Sequence, residues 1–81
     1  MNQNTQNKPD FSGIIKSNPC GFIPRQNILV ATGGLIKPKY VANLDADPDA
    51  EGIGGRFKVG RKICYPVNEV VAFLERRAQM I

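Results

Sequence analysis

The stretch Arg56-Phe57-Lys58-Val59-Gly60-Arg61-Lys62-Ile63-Cys64-Tyr65 most restricts what this chain can become. Basic and apolar residues alternate from Arg56 to Val59, the period of a half-buried strand. Ile63-Cys64-Tyr65 is the natural partner across Gly60-Arg61-Lys62, so the segment predicts an antiparallel hairpin. Its register depends on the loop that closes it. A two-residue loop pairs Val59 with Lys62 and Phe57 with Cys64, which puts a lysine on the apolar face. A three-residue loop pairs Val59 with Ile63 and Phe57 with Tyr65. A slip of one residue reverses every side chain, so the apolar match predicts the second register. Phe57, Val59, Ile63 and Tyr65 are then expected inward. Arg56 and Lys58 point outward, with Arg61 and Lys62 at the tip.

Helical patterns flank this hairpin. Pro24 suits a first helical position, and Ile28, Leu29 and Ala31 follow as a partial apolar stripe with Ile23 ahead of it. Gly33-Gly34 stops that helix, as expected of glycine past a helix C-terminus. Pro38 opens a second short helix in which Val41 and Leu44 face the core. Lys37, Lys39, Tyr40 and Asn43 are left to face out wholly or partly. Asp45 to Gly55 reads as an acidic, glycine-ended loop with neither strand nor helix period. After Pro66, residues Val67, Val70, Val71 and Leu74 recur at helical spacing. Asn68 is the expected N-cap of this last helix, Glu69 suits its first turn, and Arg76 and Arg77 complement the dipole at its end. Residues 1–20 read as a disordered or loosely docked tail, with Phe11, Ile14 and Ile15 able to dock as a short turn. Residues 21–81 form the domain.

At 81 residues the chain makes one domain with a thin core. It has no histidine, which removes the commonest general base and the commonest zinc ligand. Cys20 and Cys64 form no CxxC pair, so no metal site is expected. No serine or threonine sits beside a credible base. Gly52-Ile53-Gly54-Gly55 lacks the lysine and the spacing of a phosphate-binding loop. We therefore expect neither an enzyme nor a cofactor. No apolar run is long enough to cross a bilayer, and Met1 to Asp10 has no apolar core, so a cytoplasmic location with both thiols free is expected.

Charge gives the positive clue. Eleven lysines and arginines face seven acids, for a net charge of +4. Asp45, Asp47, Asp49 and Glu51 are bunched together, which leaves only Asp10, Glu69 and Glu75 along the rest of a strongly basic chain. Such a chain suits a polyanion partner.

Two short helices joined by a glycine turn, a basic hairpin and a further helix follow the order of a winged helix-turn-helix. The residues that carry this order are Gly33 to Leu44 (GGLIKPKYVANL), Arg56 to Pro66 (RFKVGRKICYP) and Val67 to Leu74 (VNEVVAFL). From Ile23 to about Ala78 the chain resembles small DNA-binding proteins of the excisionase and AlpA-type regulator group, related to the DNA-binding domain of MerR-type regulators. Tyr65, Pro66, Asn68-Glu69 and Phe73-Leu74 fit the group's pattern around the last helix. The chain departs from it at Lys37, where the group usually has Ser or Thr, in its longer turn, and in its acidic loop.

The resemblance implies an α+β, mainly helical fold, with three helices and a two-stranded wing. It also implies a role in transcriptional control or in excisionase-like help to a site-specific recombinase on a mobile element. The expected partners are double-stranded DNA and, with it, a recombinase or RNA polymerase. A monomer is expected in solution, with any cooperative association taking place on DNA. In such a protein the second helix enters the major groove. Lys37 and Lys39 can donate to guanine or to phosphate, Asn43 can pair with adenine, and Tyr40 offers a hydroxyl and a ring. The wing residues Arg56, Lys58, Arg61 and Lys62 suit the backbone or a narrow minor groove. Bland alternatives stay open for each residue. The lysines fit solvated charge, Tyr40 a core position, Asn43 a C-cap, and the basic strand a protected sheet edge. A different function, a protein-interaction module, would use an exposed face of Val70, Phe73 and Leu74.

Overall fold

The computed structural model describes residues 9–79; the expected disorder of residues 1–8 lies outside them. The elements run α1 (Ser12–Ser17), β1 (Phe22–Pro24), a 3-10 turn (Arg25–Asn27), α2 (Ile28–Ala31), α3 (Pro38–Ala46), β2 (Phe57–Val59), β3 (Lys62–Pro66) and α4 (Val67–Arg77). The result is a small, mainly helical α+β domain with a three-stranded antiparallel sheet in the order β1-β3-β2.

The third strand was not expected. Phe22-Ile23-Pro24 pairs with the edge of β3 that the hairpin leaves open, Ile23 opposite Tyr65. Pro24 thus ends a strand rather than opening a helix, and the helical turn begins one residue later at Arg25. A proline costs a strand least at such an edge.

The hairpin takes the register rejected above. Phe57 pairs with Cys64, Lys58 with Ile63 and Val59 with Lys62. Gly60, at φ +61°, starts a two-residue turn whose twist matches that of the strands. Two facts remove the penalty that argued against it. Lys62 lies at the tip, exposed, and bonds Gln26 Oε1 at 3.1 Å. And β3 buries residues on both of its faces, for Cys64 and Tyr65 point opposite ways and are both buried. Phe57 and Val59 are instead exposed. Phe57 meets Phe22 edge to face on the outer side of the sheet, with ring centroids 5.8 Å apart. Arg56 and Lys58 consequently rise from the inner side, the side of Tyr65 and the helices.

The core gathers Ile23 and Tyr65 from the sheet, Ile28, Ile36 and Val41 from the α2–α3 segment, and Val67, Val70, Phe73 and Leu74 from α4. Phe11 and Ile14 pack on it from around α1. One loop residue, Ile53, is also buried, at 3 % exposed, so the acidic segment is pinned to the core at that point. The α4 helix starts at Val67, whose N–H donates to the Gly21 carbonyl at 2.9 Å. Pro66 occupies the cap position expected of Asn68.

A built turn joins α2 to α3. Gly34 N–H donates to Leu29 O at 2.7 Å and Gly33 N–H to Val30 O at 3.1 Å, the paired bonds that close a helix through left-handed glycines. Thr32, buried, donates from Oγ1 to Ile28 O at 2.6 Å and accepts the Ile36 N–H at 3.1 Å. This ties the end of α2 to the approach to α3.

Candidate functional site

Val41 fixes the orientation of α3, because it is the one fully buried residue of that helix. Lys39 and Asn43, four residues apart, share the opposite, exposed face. Lys37 is exposed and extended just before the helix, with Pro38 in the first turn. Tyr40 is turned aside. Its hydroxyl accepts from Arg77 Nη1 at 2.7 Å, and the same guanidinium lies 5.7 Å from its ring and 4.6 Å from that of Phe73. Tyr40 is therefore neither core nor free: it braces α3 against the end of α4.

The tip of the hairpin meets the start of α3. Arg25, Gln26, Pro38, Arg61 and Lys62 line a shallow groove of about 230 Å³. Arg61 and Lys62 from the hairpin thus share a concavity with the helix that carries Lys39 and Asn43. Lys58, opposite Ile63, lies on the inner side of β2, one pair away from the Val59–Lys62 pair on the other face, and is exposed. Among the described residues, Lys37, Lys39, Lys58, Arg61 and Lys62 have no acidic partner within ion-pair distance.

Arg56 differs. Its Nη1 lies 3.6 Å from Asp45 Oδ1. Asp45 was expected in a solvated loop, but α3 runs on through Ala46 and carries this carboxylate inward, 7 % exposed. Its Oδ2 accepts from Tyr65 Oη and from Arg25 Nη2, both at 2.6 Å, while Arg25 Nε donates to Tyr65 Oη at 2.9 Å. Burial, then the bond to Asp45, pushes the Tyr65 hydroxyl from 10.0 up to about 12, so it remains a donor. Desolvation pulls the Arg25 guanidinium down, but its bonds to Tyr65 and Asp45 outweigh that and leave it raised. One signal in the sequence pointed here. A tyrosine expected inward needs a partner for its hydroxyl, and Asp45 is the acid nearest the end of α3.

The remaining acids of the segment, Asp47, Asp49 and Glu51, are exposed, and Glu51 approaches Arg76 at 4.0 Å. The face of Val70, Phe73 and Leu74 is core, with Phe73 2 % exposed. A larger concavity, about 620 Å³, lies between α1 and α2 and shares no residue with the basic groove. Val30 and Leu35, on its rim, are 86 % and 61 % exposed. Among the described residues no group of His, Cys, Asp and Glu is placed to hold a metal ion, and no helix is long and apolar enough to cross a membrane. Cys20 is exposed and Cys64 buried, both as free thiols. No family model, curated protein or solved structure matches the chain.

Proposed function

We propose that the chain is a winged helix-turn-helix protein that binds double-stranded DNA. In this reading α2 and α3 form the helix-turn-helix and β2–β3 the wing. The α3 helix lies in the major groove, where Lys39 and Asn43 reach base edges. Lys37, Lys58, Arg61 and Lys62 take backbone phosphates, the wing along the backbone or in the minor groove. The role is that of an excisionase-like accessory factor or an AlpA-type regulator. The observation that carries the reading is the groove in which Arg61 and Lys62 meet the start of α3. It lets one duplex touch the helix and the hairpin tip together.

Binding to a labelled 20-base-pair duplex of random sequence, followed by anisotropy across a salt series, tests it. Four unpaired cations neutralising phosphates give a slope of log K against log salt of roughly −3 to −4. A slope near zero, or no binding at low salt, contradicts the proposal.

A further inference from the structure

Seven of the basic side chains described above lie on the hairpin, on α3, or beside them, yet two of these, Arg25 and Arg56, converge on a single carboxylate. We propose that Asp45 is a built-in counter-ion that occupies the place of a phosphate, withholding Arg25 and Arg56 from DNA and holding the hairpin against α3. The proposal rests on the DNA-binding reading given above.

Geometry carries the assignment. Asp45 sits in the last turn of α3, so it moves with the helix that is read as entering the groove. Its side chain is 7 % exposed, against 28 % for Arg25 and 51 % for Arg56. Both arginines can thus reach solvent, and it is the acid that is fixed. Tyr65 links the same carboxylate to the central strand through a 2.6 Å bond. Arg56 links it to the segment that enters β2, a strand all of whose residues are exposed and which has no buried anchor of its own. One carboxylate therefore joins the helix, the central strand, the hairpin base and the 3-10 turn before α2.

The consequence for binding follows from charge. A guanidinium free to reach a phosphate adds about 0.9 to the salt slope, whatever the DNA sequence. Arginines paired internally add nothing. By holding two arginines in place, Asp45 lowers the sequence-independent part of the affinity and leaves the contacts of Lys39 and Asn43 to a larger share of the total. It acts through other residues, as a positioning group, and does not itself touch DNA.

The test compares salt slopes on the random-sequence duplex for four variants. Asp45→Asn frees both arginines and steepens the slope by about 1 to 2. Asp47→Asn makes the same charge change at an exposed acid with no arginine partner, and shifts the slope by less than about 0.5. Lys58→Gln removes a phosphate contact and makes the slope about 0.9 shallower. Arg56→Gln leaves it unchanged, because Arg56 is already committed. Equal slopes for Asp45→Asn and Asp47→Asn overturn the counter-ion assignment while leaving the DNA reading intact. A flat slope for the unmodified chain overturns the DNA reading itself. Should Asp45→Asn lose its helical circular dichroism, the Arg56→Gln and Lys58→Gln pair decides. Equal losses in those two show Arg56 on phosphate and sink the proposal.

Discussion

The two longest helices are held in different ways. Five of the eleven residues of α4 are buried, including Phe73 and Leu74. Only Val41 of the nine in α3 is fully buried. What α3 lacks in apolar burial is made up by polar tethers at three points. Thr32 fixes the turn that leads into it, Arg77 braces Tyr40, and Arg25, Tyr65 and Arg56 hold Asp45 near its end. A helix buried on one broad face supports a fold. One held by a narrow apolar line and by its sides keeps a face free to present, here Lys39 and Asn43. In this reading α4 is the scaffold and α3 the helix that is shown to DNA.

That contrast can be broken from either side. The largest effect is expected in α4. Phe73→Ala removes a side chain 2 % exposed and leaves a cavity, which should cost about 3–5 kcal/mol in urea unfolding. In a domain this small that is a large part of the whole stability. A loss below about 1 kcal/mol would mean that α4 is not the scaffold. Thr32→Val keeps the shape but strands the buried Ile36 N–H, and should cost about 2 kcal/mol.

Changes on the presented face should do the reverse. Lys39→Ala and Asn43→Ala should each shift stability by no more than about 0.5 kcal/mol. Each should weaken binding to a preferred duplex roughly tenfold. Asn43→Ala should also blur the preference at one base pair in a sequence-selection assay, and Lys39→Ala should do so at another. A stability loss with unchanged affinity would place both residues in the fold rather than the interface.

A separate effect appears at high pH. The Tyr65 hydroxyl is raised from 10.0 to about 12 in the folded chain. Between these values the unfolded chain has lost the proton and the folded chain still holds it. The stability linked to this hydroxyl is thus complete below pH 10 and is lost as pH rises toward 12. Tyr65→Phe removes that step from a stability-against-pH curve. An identical alkaline fall in Tyr65→Phe would show that the hydroxyl is not its source.

Much of this was legible in the sequence, for reasons that differ by element. The face of α4 could be read because Val67, Val70, Val71 and Leu74 repeat with a helical period, and all four are buried. Gly33-Gly34 could be read because only glycine takes the left-handed turn cheaply. The register of the hairpin could not. Matching apolar residues assumes two strands with one buried face, whereas β3 buries Cys64 on one face and Tyr65 on the other and pairs with Phe22-Ile23-Pro24 along its second edge. A strand of three residues ending in proline carries almost no pattern of its own.

The candidate site was legible as residue types and not as roles. Lys39 and Asn43 were expected outward from the helical pattern and Arg61 and Lys62 at the hairpin tip, and all four are exposed. Tyr40 and Arg56 were found by the same logic and are engaged by Arg77 and Asp45. Asp45 was hidden by its neighbours. Beside Asp47, Asp49 and Glu51 it looks like one more solvated acid, and only the extra turn of α3 carries it inward. Composition counts charges, whereas pairing depends on where the helix ends.

The most direct test of DNA binding by α3 and the hairpin is an amide chemical-shift titration of isotope-labelled protein with a duplex at low salt. Joint shifts are expected at residues 37–43, excluding Pro38, and at residues 56–62. Signals on the exposed side of α1 should stay in place. Shifts confined to the hairpin would leave α3 outside the groove and contradict the helix-plus-hairpin footprint. No shift in either segment would contradict DNA binding altogether.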